Sequence, residues 1–407
     1  MSSLLSLAAR NVARNRRRSL VTLSAVLLGV TAVLVLRGFI QGFMGLMVDD
    51  VVKGRTGALQ VHQAGYLENI DALPLEPSFP YDEALLARVR AVPGVTAVTG
   101  RIQFSGLVSN GVAQTMFVGR GLDLDTELKA VPRAGFDVQA GGRPLKAGDH
   151  AQGVLGAELA KSFGVGPQSR VTLASTSPQG RSNSLDVAVE GLSVSSLPFE
   201  NKRVVTVPLK LAQELLGMEG RVTELAVAVE DLARLERIAA ELRAALGAGY
   251  EVHTWQELQP FVRDIINRQR FVLAIISAIL FVIILTGIIN AMLMSVFERV
   301  REIGTMLAVG MRRWQVLVLF LLEATMLGAL GGVGGALLGS LIVRLIAIQG
   351  IPMSMVTRSG NSVLRPELSP SVVVLAVGVA VAGAVLAAAW PAWRASRMRP
   401  VEALRSV

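Results

Sequence analysis

Cysteine is absent from this 407-residue chain, and histidine is almost so, with three copies. The missing thiols exclude disulfides, zinc–thiolate and iron–sulfur ligation, and a cysteine nucleophile. His62, His150 and His253 stand far apart in the sequence without ligand spacing, so neither a metal site nor a Ser-His-Asp triad is expected. Charge is scarce as well: 17% of the residues are acidic or basic, against about 25% in an average soluble domain. Paired acids such as Glu230-Asp231 and Asp123/Asp125 read as solvated turns or helix starts. A G-x-x-x-x-G-K-[ST] phosphate loop does not occur, so energy for any work is expected to come from a partner.

What the chain does have is apolar residues, at 52% with a mean hydropathy of +0.51. They concentrate in four runs, Leu20–Leu36, Phe271–Phe297, Val316–Ile348 and Val372–Trp390. At roughly 1.5 Å per helical residue each covers most or all of a hydrocarbon core of about 30 Å. One run precedes and three follow a soluble-looking block of mixed character. The expected fold class is therefore an α-helical membrane protein with four transmembrane helices, one before and three after a large mixed α/β external domain.

The net charge of +9 suggests nucleic acid only when taken as one number. Residues 50–268 hold 25 acids and 22 bases, leaving 6 acids and 18 bases for the rest, a net of +12 beside the apolar runs. Arginines flanking spans are the positive-inside signal, which argues against a nucleic-acid surface. Arg10, Arg14, Arg16, Arg17 and Arg18 precede the first run, so the N-terminus is expected in the cytoplasm. The run exceeds a signal-peptide core and has no clear small-x-small site after it, so it reads as an uncleaved anchor. Crossing four times then brings Arg299, Arg301, Arg312 and Arg313, and later Arg394, Arg397, Arg399 and Arg405, to the same inner side. Arg37 and Arg344 fall at the outer ends of their runs and are read as snorkelling to the interface.

Inside the third run, Gly328, Gly331, Gly332, Gly335 and Gly339 make overlapping G-x-x-x-G pairs, which let another helix approach closely. That helix belongs either to the same chain or to a second subunit. Glu323, near the inner end of this run, is given no chemistry.

The block between the runs shows two helix-then-strand units at its ends: Asp82–Ala91 before Val95–Val98, and Asp231–Leu246 before Tyr250–Thr254. Val171–Leu173, Leu185–Leu192 and Val204–Val207 read as further strands, with a polar loop over Ser175–Ser184. Residues of about 133–197 are taken as a second lobe.

Two stretches then carry a resemblance. One runs from Glu298-Arg299-Val300-Arg301-Glu302-Ile303-Gly304-Thr305-Met306-Leu307-Ala308-Val309-Gly310-Met311 through Trp314-Gln315 to Leu322-Glu323-Ala324. The other is Pro391-Ala392-Trp393-Arg394-Ala395-Ser396-Arg397-Met398-Arg399-Pro400-Val401-Glu402-Ala403-Leu404-Arg405. Both resemble the FtsX-like permease domain of ABC transporters, in the branch of the lipoprotein-releasing LolC/LolE permeases and the MacB exporters. Gly156–Ala160 and Gly166–Leu173 look like the periplasmic core of that branch.

The resemblance implies three parts: a cytoplasmic N-terminus with the first span over residues 1–49, a MacB-like periplasmic core over 50–268, and a permease domain over 269–407. It implies a permease without enzymatic activity, with no cofactor of its own, in the bacterial inner membrane with both termini cytoplasmic. ATP and Mg would be bound by a partner ABC ATPase dimer. A second copy or a related permease, and a periplasmic chaperone or adaptor, would complete the assembly. Arg301, Glu302, Ile303, Gly304, Met306, Leu307, Ala308, Gly310, Met311 and Arg312 would form the ATPase-coupling helix. Trp390 and Trp393 would anchor at the interface. The expected function is mechanotransmission driving lipoprotein release. The alternatives are MacB-like export of a peptide, lipid or small molecule, or regulation of a cell-wall hydrolase without transport.

Overall fold

The computed structural model describes residues 2–14, 16–133, 138–195, 198–352 and 363–397. They divide into two compact units, Met1–Met44 with Ile265–Ile351 and Val363–Val407, and Gly45–Asp264 with Pro352–Ser362.

The first unit is helical. After an N-terminal helix, Ser2–Arg14, come four long helices: Arg16–Val51, Pro260–Glu298, Arg313–Gln349 and Pro370–Ser396, here called the first to fourth spans. Each is long and apolar enough to cross a membrane. Val300–Ala308 is a short connecting helix between the second and third spans.

These spans are apolar all round, as lipid-embedded helices are, so small residues and not an amphipathic stripe decide which faces meet. Val26, Val30 and Leu34 of the first span meet Ile288 and Met292 of the second, Ala324, Leu327 and Ala336 of the third, and Ala380, Ala384, Ala387 and Ala388 of the fourth. The glycine ladder sits inside this packing. A Cβ on Gly328 would lie 2.7 Å from Ala384 Cβ, and one on Gly332 3.2 Å from Ala380 Cβ, both on the fourth span. Gly331, Gly335 and Gly339 face the first span, where a Cβ on Gly335 would lie 2.6 Å from the Leu27 carbonyl oxygen. The Thr31 hydroxyl donates to the Gly335 carbonyl at 3.1 Å. Of the two partners the sequence left open, the ladder meets helices of its own chain.

The second unit is mixed α/β. Its main strands are β1 (Leu59–Gln63), β2 (Val95–Ser109), β3 (Gln114–Leu122), β4 (Gln152–Gly156), β5 (Arg170–Thr176), β6 (Ser182–Ser193), β7 (Val204–Pro208), β8 (Glu224–Val229) and β9 (Tyr250–Thr254). They form one sheet in the order β9-β1-β8-β2-β3-β7-β4-β6-β5. The far end of the long β2, at Leu107–Ser109, also pairs with β5 at Thr172–Ala174. That extra pairing closes six strands into a ring, which removes two sheet edges. Residues 133–197 supply β4, β5 and β6 to the ring, and β2, β3 and β7 come from outside that range.

Helices α1 (Glu83–Arg90) and α3 (Leu235–Leu246) meet: Arg88 Nη2 donates to the Ala245 carbonyl at 2.7 Å. Between them in sequence lies α2 (Leu209–Leu216), whose buried face rests on the strands. Asp82 caps α1 by accepting from the Leu85 N–H. Asp231 does the same for a 3-10 turn that leads into α3, accepting from the Ala233 N–H.

One sequence expectation is corrected here. Ser175–Ser184 is not a loop throughout, because β5 and β6 pair as far as Thr176↔Ser182, leaving a tight turn. Ser and Thr lower hydropathy without opposing an extended backbone, so polarity alone marked too long a loop.

Candidate functional site

The connecting helix is set off from the second span by Arg299, whose φ of −111° and ψ of 13° break the helical path. Its other end is a Schellman turn. Gly310 takes φ +104°, the Met311 N–H bonds the Met306 carbonyl at 3.0 Å, and the Gly310 N–H bonds that of Leu307 at 3.2 Å. The third span starts directly afterwards. Arg312 is its N-cap residue, and the Arg312 N–H donates to Gln315 Oε1 at 2.8 Å. Two helices thus meet across a reversal of a few residues.

This placement divides the residues of the first motif. Ile303 and Gly304 turn inward, where Ile303 packs with Val296, Val316, Phe320, Ala392 and Ala395. Leu307 and Met311 lean half-buried on the same cluster, and Met306 is half-buried too. Arg301, Glu302, Ala308, Gly310, Arg312, Arg313 and Trp314 are exposed, and Val309 is 89% exposed. An exposed valine between Arg301 and the Arg312-Arg313 pair is a surface that a partner could grip. Gly304 is not part of that surface.

Glu323, given no chemistry from the sequence, has a buried charged partner and a polar one. It is 2% exposed and lies 3.2 Å from Nη1 of Arg299, itself 5% exposed. Asn11 of the N-terminal helix donates to Glu323 Oε1 at 2.7 Å. Arg299 Nε also lies 3.3 Å from Glu302 Oε2, and Glu302 pairs with Arg14. One chain of charges therefore ties the N-terminal helix, the connecting helix and the third span together. A buried pair of this kind is costly to form and costlier to break on one side, which suits a pin better than a general stabiliser. A glutamate five residues before the glycine ladder was the available signal, but its partners are remote in sequence.

In the second motif, the Arg397 guanidinium lies 4.4 Å from the Trp393 ring centre and that of Arg394 5.7 Å from Trp390. Both tryptophans are exposed. Met398, Arg399, Pro400, Val401, Glu402, Ala403, Leu404 and Arg405 lie outside the described residues.

The second unit corrects the picture of scattered histidines. Strands β1 and β9 pair so that His62 faces Glu251 and Gln60 faces His253. The His62 and His253 rings come within 5.5 Å, and His62 stacks on Tyr66 at 4.4 Å. His62 Nε2 lies 3.8 Å from Glu224. Burial, with His62 alongside, holds the His253 imidazole below its ordinary pKa. Burial opposes ionisation of Glu224, but His62 and Arg101 outweigh it and keep the carboxyl below the usual range. His150 stands apart and exposed. Among the described residues no three metal-ligating side chains gather.

Two family models match the sequence, the MacB-like periplasmic core domain over residues 19–245 and the FtsX-like permease C-terminal model over residues 274–400. The macrolide export ATP-binding/permease protein MacB of Marinobacter nauticus is 33% identical over 208 residues, covering 50% of this chain. That alignment spans 30% of the length of the Marinobacter protein. The uncharacterized ABC transporter permease MJ1507 of Methanocaldococcus jannaschii is 22% identical over 420 residues, with 100% of this chain and 98% of that protein aligned. The periplasmic region of MacB from Actinobacillus actinomycetemcomitans gives a TM-score of 0.36 at 10% identity, over 50% of this chain and 92% of that structure. The MacB-like model alone covers more than half of the sequence, and the permease model takes up most of the rest. The chain belongs to the family of multi-pass ABC transporter permeases that join a MacB-like periplasmic core domain to an FtsX-like permease domain.

Proposed function

We propose that this permease converts ATP-driven motion of a cytoplasmic ABC ATPase dimer into movement of its α/β unit, and that the connecting helix Val300–Ala308 is the point of grip. The observation that carries this reading is the division of that helix. Its inner side is clamped by Ile303, Arg299 and Glu323, and Ala308 at its end is exposed together with Val309, Arg312 and Trp314 of the reversal that follows. A lever needs both a rigid attachment and an accessible contact. In this reading the protein lies in the bacterial inner membrane with both termini cytoplasmic. ATP and Mg sit in the ATPase, and a second permease copy or relative completes the assembly.

Substrate is handled on the periplasmic side or from the outer leaflet. Release of lipoproteins with a periplasmic chaperone, and export of a peptide, lipid or small molecule with an adaptor, fit the lever equally. The relatives named for macrolide export support the second.

The test is a complex purified with its ATPase. Val309→Asp and Ala308→Glu should lower co-purified ATPase by roughly tenfold, the order expected for losing one well-buried interface contact. Membrane insertion and melting of the permease should not change. Full assembly with both variants would remove the connecting helix from the interface.

A further inference from the structure

Between the first, second and fourth spans lies a cavity of about 140 Å³ that the coupling reading does not use. Its walls are apolar, with Leu34, Phe281, Leu375 and Val379 among them, and its polar lining is Arg37 and Ser277. The spans close tightly at one end. A Cβ on Gly29 would lie 2.3 Å from Ile284, and one on Gly383 2.6 Å from Phe281. The cavity is therefore a narrow slot with a cation among its walls.

The contents of such a slot follow from its lining. The apolar stretch of the slot offers water no hydrogen-bond partners, and in a bilayer the available filler is hydrocarbon. Arg37 is half-buried and has no hydrogen-bond or ion-pair partner among the described residues. A guanidinium in low dielectric gains most from an oxyanion, and its planar fork matches the oxygens of a phosphate. A free phosphate would leave the slot empty. A zwitterionic lipid would fill it but bring a second cation to the mouth.

We propose that this slot binds a segment of one acyl chain of an anionic phospholipid, with the headgroup on Arg37. The lipid would act as a fixed wedge between the three spans. The proposal stands independently of what grips the connecting helix.

The experiment is native mass spectrometry of the full chain in detergent, delipidated and then titrated with phosphatidylglycerol, phosphatidylcholine of the same chains, or inorganic phosphate. The wild type should retain phosphatidylglycerol about tenfold more tightly than phosphatidylcholine, the order of one charge-assisted contact. Arg37→Gln should bring the two within about twofold of each other, since both chains still fit. Ala376→Phe, which fills the slot, should weaken both lipids. Equal retention of the two lipids by the wild type, an undiminished preference in Arg37→Gln, or displacement of lipid by inorganic phosphate would each overturn the proposal. The wild-type comparison and the filled slot decide the matter even if Arg37→Gln fails to fold.

Discussion

Replacing Glu323 by Gln keeps the shape of the side chain and leaves the buried Arg299 charge with only the exposed Glu302 opposite it. Removing one member of a buried pair costs about 3–5 kcal/mol, whereas removing both with apolar residues of similar volume is often neutral. Glu323→Gln should therefore lower the denaturation midpoint of the purified chain markedly, and Glu323→Leu with Arg299→Met should recover most of the loss. Additive losses in that cycle would mean that the two residues act separately. Glu200 gives a second test, confined to the α/β unit. Burial pushes its carboxyl up, but Arg120 at 2.6 Å, Arg55 and Ser195 outweigh that and bring the pKa from 4.5 down to about 2. A lowered folded-state pKa contributes stability that is present above 4.5 and is lost as the pH falls through 2. Glu200→Gln should remove on the order of 2–3 kcal/mol at neutral pH. It should also flatten the acid limb of a melting-temperature profile over that window.

At the scale of elements, the reversal between connecting helix and third span depends on the backbone of Gly310, not on its smallness. A Cβ there meets nothing within 4 Å, yet φ +104° is unfavourable for any L side chain. Gly310→Val should cost about 1–2 kcal/mol in thermal melts, and Gly310→Asn less, because Asn tolerates positive φ. Gly335→Leu should be far more damaging, with its side chain driven into the Leu27 backbone, and should abolish recovery of a monodisperse protein in detergent. Apolar length made the spans legible in the sequence, and Asp82 and Asp231 made the helix starts legible. Contacts between remote strands and helices were not. Asn11 reaches Glu323 across 312 positions, and the ring closes only because the end of β2 bends onto β5. The two histidines meet through strand pairing, which no local spacing encodes. Within the first motif, chemistry was legible but facing was not. Gly304 and Ala308 are both small, yet one is buried and the other exposed.

At the scale of the molecule, the account requires the connecting helix to face the compartment that holds the ATPase. Since the chain has no cysteine, a single cysteine can be placed without background. The most direct measurement introduces Val309→Cys and treats intact cells first with a membrane-impermeant maleimide, then opened membranes with a short bifunctional crosslinker. The account predicts no labelling from outside, and an adduct between position 309 and an ABC ATPase identified by mass spectrometry. Labelling of position 309 in intact cells, with no ATPase adduct, would contradict it.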